Sequence, residues 1–138
     1  MIALSFYSAE KWLVLNARLS VQVWGIYLLL TGIALFTLPN LILTTLGFTT
    51  TTEPWIRVVG ALAAILGYFF LRLSAANIEF FYPRTVHARL GFALALVLLV
   101  ILSLAPVNLL IFAGIDLLGG LWTFLALRSG YVTRAATP

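Results

Sequence analysis

The chain has 138 residues, of which 63% are hydrophobic and 9% charged, with a net charge of +4 and no cysteine. One domain's length with so few charged side chains argues against a soluble globular protein, which needs a polar surface, and for a chain whose solvent is lipid. The missing cysteines exclude disulfides, thiolate nucleophiles and sulfur-ligated metals, and the charge, set at segment ends, reports membrane topology rather than a nucleic-acid partner.

Residues 1–19 mix Phe6, Tyr7, Trp12 and Leu13 with Glu10, Lys11 and Arg18, a pattern that predicts a short amphipathic stretch at the membrane interface. The first apolar span runs from about Ser20 to Leu38 and ends at Pro39-Asn40, long enough to cross a hydrocarbon core of about 30 Å. A cleaved signal is not expected, because the basic residues come late and no small-x-small site follows. Residues 40–53, rich in threonine around Gly47, predict a loop. The second span covers about 54–76, with Thr52 as its N-cap and Pro54 in its first turn. A polar cluster from Asn77 to Arg84, including Pro83, precedes a third span at about 85–104. Only Ala105-Pro106-Val107-Asn108 separates that from a fourth at about 107–127, so these two form a tight hairpin. The reading is all-α, a single integral membrane antiparallel four-helix bundle.

Lys11, Arg18, Arg72, Arg84, Arg89, Arg128 and Arg134 are assigned to one side of these spans, leaving Arg57 near the other. Cytoplasmic segments retain basic residues, so both termini are expected in the cytoplasm of a bacterial-type inner membrane. Small residues predict how the spans touch. Gly25 and Gly32, Gly60 and Gly67, and Ala113 and Gly120 are each seven apart, nearly two turns, and line stripes where backbones approach closely, with Gly91 and Ala95 adding a small-xxx-small step. Trp24, Trp55 and Trp122 fall near span ends as an interfacial belt.

A charge in hydrocarbon costs on the order of 3 kcal/mol even on the gentler insertion scales, so Asp116, roughly nine residues into the fourth span, is the residue to explain. It is either structural or orients a ligand or proton; Arg57, about one turn into the second span, is its nearest basic candidate. Tyr27 and Tyr68 lie deeper than the other tyrosines and are candidates to line a pocket for a flat apolar ligand or simply fill the bundle. On the cytoplasmic side Arg72, Arg84, His87 and Arg89 form a candidate headgroup-binding cluster, or snorkel without a ligand. A lone histidine assembles no metal site; no catalytic residue, metal or cofactor is expected.

The segments Trp55-Ile56-Arg57-Val58-Val59-Gly60, Gly67-Tyr68-Phe69-Phe70, Thr85-Val86-x-x-Arg89 and Asp116-Leu117-Leu118-Gly119-x-Leu121-Trp122-Thr123 resemble a group of uncharacterised bacterial four-helix membrane proteins over most of residues 20–128. More distantly the chain is similar to DoxX-like proteins, to the EXPERA sterol-isomerase superfamily and to the endoplasmic-reticulum scaffold that gathers sterol-biosynthesis enzymes. The DoxX-like and scaffold resemblances imply a subunit or docking role and transfer no catalytic residue. EXPERA isomerases imply buried acids that stabilise a carbocation, and here only Asp116 is available.

The leading expectation is therefore a non-catalytic subunit or scaffold in the lipid bilayer. It would contact membrane-protein partners, self-associate through its Gly/Ala faces, or hold an apolar lipid-like small molecule. Alternatives are an isoprenoid- or steroid-like ligand binder or isomerase-type enzyme using Asp116, and a small proton-coupled transporter. Small multidrug transporters carry a glutamate in their first span, where this chain has Gln22.

Overall fold

The computed structural model describes residues 16–135, with side chains described through residue 129. The predicted amphipathic segment, apart from Asn16 to Leu19, lies outside the described residues, as do the side chains of Tyr131 and Arg134. The described chain is helical: α1 (Ala17–Thr37), α2 (Pro39–Thr45), α3 (Trp55–Ala75), α4 (Phe81–Ile101), a 3-10 turn (Val107–Leu109) and α5 (Leu110–Ala135). Four helices are long and apolar enough to cross a membrane: Ala17–Thr37, Trp55–Ala75, Phe81–Ile101 and Val107–Ser129. At 1.5 Å rise per residue, the 21 residues of α1, α3 or α4 reach about 30 Å.

Several predicted boundaries move, each for a local reason. Asn16 starts α1 three residues before Ser20, its side chain accepting the Leu19 N–H at 3.2 Å. Residues 40–53 are not all loop. Pro39 ends α1 but opens α2, where its missing N–H is harmless, and the threonines turn their hydroxyls onto the helix's own carbonyls, Thr44 on Asn40 and Thr45 on Leu41 at 2.8 and 2.7 Å. Thr52 does not cap α3; Pro54 occupies the cap position, and Thr51 rather than Thr52 accepts the Glu53 N–H at 3.0 Å. Likewise α4 starts at Phe81, ahead of the predicted Thr85, because Pro83 falls in the first turn, where helix N–H groups have no intrahelical acceptor.

The helix ends repeat one solution. After α2, α3 and α4 a residue takes the left-handed conformation, Gly47 (φ 75°), Asn77 (φ 52°) and Ser103 (φ 58°). In each case the next N–H reaches five residues back: Phe48 to Leu43 O, Ile78 to Leu73 O, and Leu104 to Leu99 O, at 2.8, 3.2 and 2.9 Å. This closure satisfies carbonyls that the helix ends would otherwise leave without a partner.

α1 packs along α3, and α4 along α5, with α1 also touching α5. The glycine stripes on α1 and α3 meet each other. A Cβ built on Gly32 would lie 2.6 Å from Gly60 O and 2.3 Å from Ala64 N, and one on Gly25 would lie 3.1 Å from Gly67 O. Residue numbers thus rise on α1 as they fall on α3, and backbone contacts backbone along the seam. Ala113 and Gly120 are buried, but no backbone approaches Gly120, where a Cβ would meet the Arg89 side chain at 3.7 Å instead, and Gly91 and Ala95 face outward, with open space beyond Gly91. The buried face of α4 is instead Thr85, Arg89, Ala93 and Leu96. Val21, Trp24, Phe70 and Tyr82 bring α1, α3 and α4 into one core, and Ala93, Leu96 and Ala113 close the other end of α4 on α5.

Candidate functional site

The polar side chains that hydrocarbon would penalise are gathered where α1, α4 and α5 meet. Arg89, eight residues into α4, is 3% exposed, and Asp116, six into α5, is 6% exposed. Each is the charged group acting on the other. Opposite charges placed this near each other offset part of each other's desolvation through space, without a direct ion-pair contact.

The guanidinium is held on three sides. Its Cζ lies over the Trp24 ring, 4.2 Å from the centroid. Nη1 donates to Thr123 Oγ1 at 3.4 Å, and Gly119 leaves the room, since a Cβ there would sit 2.8 Å from Nη1 and 3.3 Å from the Trp24 ring. Thr123 Oγ1 donates to Gly119 O at 3.0 Å and lies 3.0 Å from Ser20 Oγ, so α1, α4 and α5 share one buried hydroxyl cluster. The remaining nitrogens, Nε and Nη2, are buried without a hydrogen-bond partner.

Tyr27 adjoins the same layer: its ring packs on Trp24 at 4.9 Å, and its hydroxyl feels the Asp116 charge, with Thr31 beside it. Tyr27 and Thr31 are also the wall of a cavity of about 370 Å³ between α1, α2 and α5, otherwise lined mainly by apolar side chains, among them Ala34, Ile42, Phe112 and Ile115. Leu30 and Ile111, which also line it, are exposed, so the hollow opens to the outside of the bundle. Asn108 holds the α2 wall in place, its Nδ2 donating to Leu46 O and Gly47 O at 3.0 and 2.9 Å. A second hollow of about 510 Å³, at Val100 and Ser103–Val107, is an open dish on the turn after α4, remote from the charges.

No family model, curated protein or solved structure matches the chain. The site therefore stands on its own geometry.

The sequence-predicted residues separate. Asp116 lies close enough to Tyr27 for its charge to act on the hydroxyl, and the basic group that acts on Asp116 is Arg89, not Arg57. Arg57 is exposed and its Nη1 donates to Phe36 O and, at 3.3 Å, to Thr37 O, where it caps the last turn of α1. Tyr68, 53% exposed, turns away from the cavity and meets Phe69 edge-on. Arg89 also leaves the expected headgroup cluster. Arg72, Arg84 and His87 are exposed, and Arg84 folds onto its own helix start, stacked 3.2 Å over Phe80 and donating to Phe80 O. Among the described residues no group of three His, Asp or Glu side chains is placed to hold a metal.

Trp24, Ser20, Thr123 and Gly119 belong to the site and were not singled out for it from the sequence. A signal for part of it existed: Thr85, Arg89 and Ala93 recur every four residues, which puts an arginine on the inward stripe of a helix.

Proposed function

We propose that the protein is an integral membrane protein, its four long helices forming an antiparallel bundle with both termini cytoplasmic, that binds an apolar lipid-like molecule of isoprenoid or steroid type bearing one polar end. The observation that carries this reading is the apolar hollow lined in part by Tyr27, whose ring packs on Trp24, which in turn lies against the buried Arg89. Small-molecule sites combine a mostly apolar concavity with a few convergent polar groups, and 370 Å³ lies at the lower end of their usual volume range. There is room for one ring system or a short isoprenoid chain, not for a two-chain lipid. The exposed Leu30 and Ile111 at the mouth give the ligand a lateral route from the bilayer.

Large exposed hydrophobics occur on all four long helices, including Ile33, Leu62, Leu94 and Leu118, as lipid contact on every side requires. The orientation rests on Arg18 near one end of α1, Arg72 and Arg84 flanking the α3–α4 turn, and Arg128 late in α5.

The test is purification from native membranes into nanodiscs, followed by mass spectrometry of extracted lipids for the wild type and for Ala34→Trp, which fills the cavity. One small lipid enriched in the wild type and lost in the variant is expected. An identical lipid profile in both, above all with a stoichiometric protein partner, would make the protein a subunit and end the pocket reading.

A further inference from the structure

Arg89 presents five N–H donors, and their use is uneven. Nη1 is taken by Thr123, and the ring of Trp24 covers one face. What remains without a partner is Nε and Nη2. These two nitrogens lie on one edge of the guanidinium, where their N–H bonds run parallel, and that edge matches the two oxygens of a carboxylate. Leaving it unfilled in a side chain only 3% exposed is expensive. Asp116, the single carboxylate within a long helix among the described residues, acts on Arg89 electrostatically but does not close on this edge.

Resting on the pocket reading above, we infer that the Nε/Nη2 edge of Arg89 is the receptor for the carboxylate head of a single-chain amphiphile whose tail occupies the cavity behind Tyr27. The contacts run without a break from one to the other. The cavity is bounded by Tyr27, Tyr27 packs on Trp24, and Trp24 carries the guanidinium. In the proposed complex the half-buried Tyr27 ring turns aside and the head passes the edge of Trp24 to reach the fork. Asp116 then stands beside a second negative charge, so it opposes an anionic ligand and is indifferent to a neutral one. Arginine is required rather than any cation, because a lysine ammonium is a point charge that cannot fill both oxygens at once and cannot lie flat on Trp24.

The experiment is saturation binding of radiolabelled laurate and of dodecanol, the alcohol with the same chain, to the full-length protein in nanodiscs, with empty nanodiscs as the blank. Laurate is expected to bind saturably and at least tenfold more tightly than dodecanol. Arg89→Lys should remove that preference, and Asp116→Asn should tighten laurate several-fold. If Arg89→Lys does not fold, the direction of the Asp116→Asn change decides. Equal binding of acid and alcohol, or laurate affinity that Asp116→Asn leaves unchanged or weakens, overturns the fork while the pocket stands. Saturable binding of neither probe overturns both.

Discussion

Along the α1–α3 seam backbone meets backbone: Gly25, Gly32, Gly60 and Gly67 bring carbonyls and N–H groups so close that a methyl group has no place. Where α1 meets α4 and α5, by contrast, the space is filled by an indole, a guanidinium, a carboxylate and two hydroxyls, and some of their bonding capacity is left over. The first surface uses dispersion at short range, the one attraction between helices that lipid cannot replace, and has nothing left with which to respond. The second is kept apart by bulk and charge, and its unspent donors give it chemistry. Stability and responsiveness are thus assigned to different faces of the same helix, α1.

The comparison breaks most directly at Arg89. Replacing it by methionine strands Asp116 as an unpaired buried acid, and a loss of about 3–5 kcal/mol is expected in chemical unfolding in mixed micelles; the double variant Arg89→Met/Asp116→Leu should recover most of it. If the double is no better than the single, the two charges are not coupled. Next comes Gly32→Ala on the seam. Its Cβ would meet Ala64 N at 2.3 Å, a clash with backbone that cannot move aside, so the same assay should show about 1–3 kcal/mol lost. An unchanged midpoint would mean the seam opens without penalty.

Asn108→Ala should cost about 1 kcal/mol by freeing the carbonyls of Leu46 and Gly47, and should speed hydrogen exchange in residues 44–48 while sparing the centres of α1 and α3. The smallest effect sharpens the contrast by reversing sign. Gly91 faces open space, so Gly91→Ala is expected to raise the unfolding midpoint slightly, by about 0.5–1 kcal/mol of helix propensity; a loss would place an unrecognised neighbour against α4.

The spans were legible because twenty apolar residues in a row admit few other structures, and the glycine pairs were legible because spacing by seven fixes a face. Asp116 announced itself as a charge with no nearby exit. Arg89 did not, since five residues into the predicted third span it was close enough to an end to be counted with the basic residues that snorkel. Pro83 caused that misreading: taken as a loop residue it shortened the helix by a turn, and Arg89 lies more than two turns inside once α4 begins at Phe81. The partnership with Trp24 and Thr123 joins residues far apart in the chain, and no local pattern encodes it. The cavity was hidden for a related reason, since its third wall, α2, was read as loop on the strength of its threonines.

The clasp from Asn108 to Leu46 and Gly47 spans about sixty residues of chain. During synthesis the α2 turn is made early, while the amide that fastens it emerges only after α4 is complete. Until then Ile42 and Leu46 have neither Phe112 nor Ile115 to face. A nascent chain halted before α5 would therefore hold its glycine seam, which needs only α1 and α3, yet lack the hollow between α1, α2 and α5, so the two halves of the contrast are completed at different stages of synthesis.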